Sequence, residues 1–111
     1  MNVAELMRYM KKRPEMYVGE LNLKLIRTFI DGFMFDRVMS DKADNIDIVF
    51  HKEFHQWVIE WMKKEKKEKF ESVRGYDFCI SQVCQKEEER VKMFFELAEM
   101  FFEEIKQMKN C

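Results

Sequence analysis

The stretch Lys12-Arg13-Pro14-Glu15-Met16-Tyr17-Val18-Gly19 contains the only proline of the chain and the first of its three glycines. Pro14 disfavours the α conformation of the residue before it, so a helix that precedes the stretch must end there. Gly19 permits a positive φ, which few other residues tolerate. We therefore predict a structural corner rather than a binding loop, with Met16 and Tyr17 folded back onto the core.

Periodic apolar residues predict a helix on each side of this corner. The first helix begins after Asn2, which forms a capping-box pattern with Glu5. The second begins near Asn22, and Gly32 in its middle predicts close approach of another helix. The apolar stripes are Val3, Leu6, Met7 and Met10 in the first helix, and Leu25, Ile26, Phe29, Ile30, Phe33, Met34 and Val38 in the second.

Three more helical segments follow a polar connection at residues 40–45. The third helix ends in the charged run 63–69, which reads as a solvated helix end rather than a nucleic-acid site. The fourth begins after Gly75, although its apolar run also fits a short buried strand near residues 77–81. The apolar surplus of the last helix is either central to the core or covered by another molecule. The stripes are Ile46, Phe50, Phe54, Trp57, Val58 and Trp61; Tyr76, Cys79, Ile80, Val83 and Cys84; and Val91, Phe94, Phe95, Ala98, Phe101, Phe102, Ile105 and Met108.

These segments predict one all-α domain over residues 1–111, a compact bundle of about five helices. The chain is 47% hydrophobic and 37% charged, and includes eleven Phe and ten Met. No apolar run approaches the roughly 18 residues that span a membrane, and the N-terminus lacks the layout of a signal peptide. We therefore expect a soluble cytoplasmic protein that does not associate with membranes.

Charge is unevenly distributed along the chain. The net charge is −1, which gives no overall attraction for nucleic acid. Residues 76–111 carry eight acidic and five basic side chains, a net −3, so residues 1–75 carry +2. Four carboxylates of the last helix fall on one line at spacings of eight, three and four residues. Glu88, Glu96, Glu99 and Glu103 form either a solvated face or a negative strip that docks onto a basic partner.

Residues that could support catalysis or bind a cofactor are sparse. His51 and His55 are four residues apart and are weak candidates for metal ligands, because no third potential ligand lies at a sequence position that suggests it would join them. Cys79 and Cys84 are interpreted as small core residues. The third cysteine, Cys111, makes their number odd and lies at the C-terminal end, which argues against a disulfide framework. No nucleophile motif or Gly-rich phosphate loop is present. We expect no metal, no cofactor and no enzymatic activity.

The stretch from Lys12 to Gly19 is similar to the N-terminus of the type II topoisomerase ATPase subunits, in which a helix also ends in Arg-Pro-x-Met-Tyr-x-Gly. The similarity stops there. The next helix of those subunits brings a catalytic Glu and a magnesium-binding Asn, whereas this chain has Phe29-Ile30-Asp31-Gly32. The sequence also lacks an Asp-x-Gly-x-Gly nucleotide loop, and 111 residues are too few for that fold. ATPase activity is therefore not expected.

Five segments spread over nearly the whole chain form an ordered set of motifs. They are Arg13 to Gly19; Ile26-Arg27-Thr28-Phe29-Ile30-Asp31-Gly32; Phe54-His55-Gln56-Trp57-Val58; Tyr76 to Ile80; and Phe94-Phe95-Glu96-Leu97-Ala98-Glu99-Met100-Phe101. This set resembles the pattern of a family of small bacterial proteins that are found beside polymorphic toxin genes and regarded as immunity proteins. The family pattern has Leu where this chain has Ile26, and Trp where it has Tyr76.

This resemblance implies a cytoplasmic immunity protein of a contact-dependent or related toxin system, which inhibits the C-terminal domain of its cognate toxin. A nuclease toxin would present a basic substrate surface, so the acidic line of the last helix is the predicted toxin-binding site. The first alternative is a helical interaction module that self-associates as a homo-oligomer through the Phe and Met of its last helix. The second is a metal-dependent enzyme that uses His51 and His55.

Overall fold

The computed structural model describes residues 1–71 and 75–109, and every regular element among them is helical. The predicted all-α bundle is confirmed. The strand considered near residues 77–81 was wrong, because these residues lie inside a helix in which the Cys79 N–H donates to the Gly75 carbonyl at 3.2 Å. The elements are α1 (Val3–Lys12), α2 (Glu15–Val18), α3 (Leu23–Met39), α4 (Asn45–Trp61) with a π-helical turn (Met62–Lys66), α5 (Tyr76–Val83) and α6 (Glu87–Lys109).

The start of α1 and the end of the corner that follows it form as predicted. Asn2 accepts from the Glu5 N–H at 3.0 Å while its own N–H donates to the Glu5 carboxylate, which completes the capping box. Gly19 has a φ of 93° and ends α2, a single turn that the sequence did not predict. The corner is therefore a short helix between two breakers rather than an extended connection.

The Met16 and Tyr17 side chains do not enter the core, so that part of the prediction was wrong, and Val18 packs against the core instead. Met16 is 71% exposed, and its sulfur lies 3.9 Å from Arg13 Nη1. Tyr17 remains partly exposed and packs edge-to-face on Phe29, with the ring centroids 5.9 Å apart. Because Phe29 lies on the outer surface of α3, the Tyr17 ring that packs on it also faces away from the core.

Helix α3 buries only part of its predicted stripe. Ile26, Ile30 and Met34 recur every four residues and are buried, whereas Leu25 and Phe29 are exposed. Gly32 lies on the exposed side, and a Cβ at this position would have no heavy atom within 4 Å. No other helix among the described residues approaches Gly32, so the close helix approach predicted from this glycine is not made within the described bundle.

The core is centred on aromatic residues of α4, α5 and α6. Phe54 is 1% exposed, and its ring centroid lies 5.1 Å from that of Tyr76, 5.2 Å from that of Phe101 and 6.1 Å from that of Phe94. Truncating a Phe buried this deeply to alanine typically costs about 3–5 kcal/mol. The apolar surplus of α6 is central to this core, since its buried side chains are Val91, Phe94, Phe95, Leu97, Ala98 and Phe101.

Two cysteines belong to the same core. Cys79 and Cys84 are buried free thiols, and burial raises the pKa of both. Cys111 lies outside the described residues. Within residues 1–71 and 75–109, no helix has both the length and the apolar character that crossing a bilayer requires.

Candidate partner-binding surface

The four carboxylates of the predicted strip are all exposed on one face of α6. At 100° per residue they fall within an arc of about 80°, and 1.5 Å per residue spreads them over about 22 Å. Lys92 lies on the same arc. The strip consists of Glu88, Glu96, Glu99 and Glu103.

Three members of the strip also form one wall of a groove between α4 and α6, which we call the tryptophan groove. Trp57 and Trp61, one turn apart on α4, lie at its base with Met100 of α6. The groove has a volume of about 690 Å³. Six carboxylates and one ammonium line it, a formal charge of −5: Glu60, Glu65, Glu96, Glu99, Glu103 and Glu104, with Lys64.

Hydrogen bonds and ring contacts hold the base of the tryptophan groove. Trp57 donates from Nε1 to Glu104 Oε2 at 2.6 Å, so the indole and the facing wall are joined. The Trp57 ring also contacts Phe101 in the core, with the centroids 5.8 Å apart. The Lys66 ammonium lies 5.8 Å from the centroid of the Trp61 ring. The sequence placed these tryptophans in the apolar stripe, and they are in fact half-buried at its edge.

A second groove lies on the other side of the strip, between α1 and α6. Its volume is about 480 Å³ and its floor is apolar, formed by Met7, Phe95, Ala98, Phe102 and Ile105 together with Ala4 and Ile46. Arg8 and Lys106 contribute positive charge at its rim, where Glu99 and Glu103 also stand. These two glutamates therefore form a ridge between two grooves of different character.

Helix α1 partly neutralises the strip on this second side. Lys11 Nζ lies 2.5 Å from Glu99 Oε1, and both side chains are about half exposed. Arg8 and Lys12 extend the basic surface of α1. Among the described residues, Glu99 is thus paired with α1, whereas Glu96 and Glu103 form no ion pair.

The sequence identified only part of this surface. Glu96, Glu99 and Glu103 come together as predicted, whereas Glu88 lies two turns away and does not line either groove. The contribution of α4 was missed, although Trp57, Glu60 and Trp61 share one edge of that helix. Their proximity to α6 depends on tertiary packing across about 40 residues of chain.

The other predicted site residues lie elsewhere. His51 is exposed and His55 half-buried on α4. Over the described part of the chain, no three His, Cys, Asp or Glu side chains are grouped so that they could hold a metal ion. The corner residues Arg13, Pro14, Met16, Tyr17 and Gly19 line neither groove.

Comparison of the chain with protein-family models, with curated proteins and with solved structures gave no match. The geometry of the tryptophan groove and the resemblance seen in the sequence are therefore the two grounds for a functional proposal.

Proposed function

We propose that this chain is an immunity protein, which binds a cognate bacterial toxin domain and blocks its active or substrate-binding site. It acts as a stoichiometric inhibitor in the cytoplasm, without cofactor or catalytic activity and without contacting nucleic acid itself. The observation that carries the proposal is the tryptophan groove, where carboxylates from two helices face solvent around two indoles. The sequence resemblance supports the same function.

The chemistry of the groove suits a basic partner. A Lys or Arg side chain that enters it meets carboxylates from both walls, Glu60 and Glu65 on one and Glu96 and Glu103 on the other. The apolar stem of such a side chain can lie along the indoles, and its charge is attracted to the ring face. Trp is enriched at the energetic centres of interfaces. The substrate surface of a nuclease has the complementary positive charge, because it must bind phosphates.

The negative surface would also raise the rate of association and help to discriminate between partners. Clustered charge steers a complementary partner and can raise association rates by one or more orders of magnitude at low salt. An inhibitor of a toxin must associate before the toxin acts, so a steered encounter fits this function. Folded helices α4 and α6 hold the carboxylates in place before the partner arrives, which lowers the entropic cost of binding.

The alternative of self-association through the last helix is less well supported. Most of the Phe and Met surplus of α6 is buried in the core of the same chain, and Met100 and Met108 are the large apolar residues of α6 that are clearly exposed among those described. A His-based metal enzyme would need a third ligand beside His51 and His55, and the described residues group none there.

The proposal is tested with the toxin domain encoded by the gene immediately upstream. Co-expression should restore growth, and the two chains should purify as a complex with one toxin domain per copy of this chain. Growth arrest despite co-expression, with no complex on gel filtration, would contradict the proposal.

The binding surface is tested separately by charge reversal. Replacing Glu88, Glu96, Glu99 and Glu103 with Lys should slow association at low salt at least tenfold and weaken protection. The matched control changes the same net charge at exposed positions outside both grooves, namely Glu20, Glu53, Glu68 and Glu71. Equal effects of the two variants would show that the strip is not the interface.

A further inference from the structure

The outward side of α3 is an exposed apolar surface that the bundle does not use. Phe35 is 68% and Met39 70% exposed, and Leu25 and Phe29 are exposed by more than a third. Tyr17 and Leu21 extend the surface at the corner before α3. We call this surface the outer face of α3; it comprises Tyr17, Leu21, Leu25, Phe29, Gly32, Phe35 and Met39. Exposed apolar side chains grouped in this way on one helix face mark an interaction site.

Gly32 lies at the centre of the outer face. A Cβ at this position would meet no heavy atom of the described residues within 4 Å, so no contact among them requires a glycine there. Glycine in a helix interior is destabilising relative to alanine, and it is typically used where another backbone approaches closely. The notch at Gly32 therefore fits a helix that belongs to another molecule.

The apolar residues are arranged symmetrically about this notch. Phe29 and Phe35 lie three residues before and after Gly32, and Leu25 and Met39 lie seven residues before and after it. A two-fold axis through Gly32 pairs two antiparallel copies of α3, so that Leu25 of one copy lies level with Met39 of the other. In such an isologous interface the same surface of both copies is used, and this spacing places apolar side chains opposite apolar side chains.

The polar side chains and the size of the face are compatible with this pairing. Asp31 lies at the edge of the face, 3.5 Å from Arg27 Nε. Exposed Asp36 and Thr28 lie within the face, four residues after and before Gly32, so the two-fold axis places Asp36 of one copy level with Thr28 of the other and not with the second Asp36. The exposed fractions of the six large side chains correspond to about 600 Å² per copy, so a dimer that covered all of them would bury at most about 1,200 Å². This is the lower end of the range for stable interfaces, so we expect reversible association.

We propose that the chain forms a two-fold symmetric homodimer through the outer face of α3, with Gly32 at the helix crossing. None of the residues of this face lines the tryptophan groove or the groove between α1 and α6. Each copy in the dimer therefore keeps its acidic strip accessible. The dimer does not depend on the toxin-binding proposal, since it requires neither the strip nor a toxin.

The test is analytical ultracentrifugation of the full chain alone, at protein concentrations from about 1 to about 500 µM. The wild type should shift from monomer to dimer with a dissociation constant of about 10–100 µM. Gly32→Ala should weaken the dimer at least tenfold while raising the melting temperature of the monomer, because the added methyl separates the paired helices but meets nothing in one chain. Phe35→Glu should remain monomeric throughout.

The matched control is Met108→Glu, which introduces the same charge at a more exposed apolar residue at the end of α6. It should dimerise like the wild type. A wild type that stays monomeric at all concentrations would overturn the proposal and leave the face to a different partner. Dimerisation that survives Gly32→Ala and Phe35→Glu but is lost in Met108→Glu would overturn it in favour of α6.

Discussion

Arg37 near the end of α3 donates from Nε to the Oδ2 of Asp47 in α4 at 2.8 Å, and the Asp47 side chain is completely buried. The same carboxylate accepts from the Val3 N–H at 2.7 Å and from the Asp44 N–H at 3.0 Å. The first turn of α1, the last turn of α3 and the first turn of α4 are therefore joined at one buried charge. A buried carboxylate is tolerated only with such a full set of partners.

We expect Asp47→Asn to destabilise the protein by about 2–4 kcal/mol, because the largely buried Arg37 guanidinium loses its ionic partner. Urea unfolding followed by circular dichroism measures the change. The control is Asp36→Asn, which removes an exposed carboxylate on the same helix as Arg37. It should change the free energy of unfolding by less than about 0.5 kcal/mol. Similar effects of the two substitutions would contradict the role of Asp47.

A second connection joins α3 to α5 and places Gly75 under a steric constraint. Arg27 forms an ion pair with Asp77, and a Cβ at Gly75 would lie 2.7 Å from the Arg27 Cζ. Gly75→Ala should therefore displace the guanidinium, the far end of a flexible and partly exposed side chain, and destabilise the protein by about 0.5–1 kcal/mol. In an Arg27→Met background the same substitution should have no measurable cost, since the obstructing guanidinium is gone.

Gly32→Ala is the matched glycine substitution. It adds the same methyl at a helical position with open space, and should stabilise the monomer by about 0.5–1 kcal/mol. Thermal unfolding at low protein concentration measures both variants. A cost at Gly75 that persists unchanged in the Arg27→Met background would show that the contact with Arg27 does not determine it.

Features that depend on neighbouring residues could be read from the sequence. Asn2 with Glu5, Asn22 before α3, and Gly19 with its positive φ all act within one helical turn, so their side chains and spacing predict the structure directly. The buried residues of α4 and α6 were also largely predicted, because in each helix one apolar stripe clearly dominates.

Features that depend on tertiary packing could not be read in this way. In α3 two apolar stripes compete: Ile26 and Ile30 are buried, whereas Leu25 and Phe29 one position earlier face outward. Both have helical spacing, so only the placement of the neighbouring helices selects between them. The tryptophan groove was partly missed for the same reason, since Trp61 and Glu103 become neighbours only when α4 and α6 pack.

The start of α3 is held by a carboxylate that should make stability depend on pH. Glu87 accepts from the Leu23 N–H at 3.0 Å, and this hydrogen bond, with a further contribution from Arg90, lowers the pKa of Glu87 below its usual value. A lowered folded-state pKa means that the contribution is present above the unfolded pKa and is lost as the pH falls through the folded one.

We therefore expect Glu87→Gln to reduce the free energy of unfolding at pH 7, by less than about 1 kcal/mol because the side chain is 40% exposed. The difference in the free energy of unfolding between Glu87→Gln and the wild type should shrink as the pH is lowered from about 5 to about 3. Urea unfolding at several pH values measures this difference. Glu88→Gln, the exposed neighbour, should show no such convergence, and a constant Glu87 difference across this range would contradict the assignment.

Because Lys11 pairs with Glu99, removing the Lys11 ammonium should raise the rate at which a basic partner associates with the strip. Lys11→Met removes the ammonium that neutralises the α1 side of the strip while keeping a side chain of similar length. Because the pair is half exposed, the free energy of unfolding should change by less than about 0.5 kcal/mol. Association with the toxin domain should become several-fold faster at low salt, and this gain should vanish at about 0.5 M salt.

Lys12→Met is the matched control, since it removes the same charge from the next residue of α1, which has no ion pair with the strip among the described residues. Stopped-flow association at two ionic strengths compares the two variants. A gain confined to Lys11→Met locates the encounter at the strip, because only this substitution unmasks Glu99. Equal gains would reflect net charge alone, and no gain in either variant would place the toxin-binding surface away from α6.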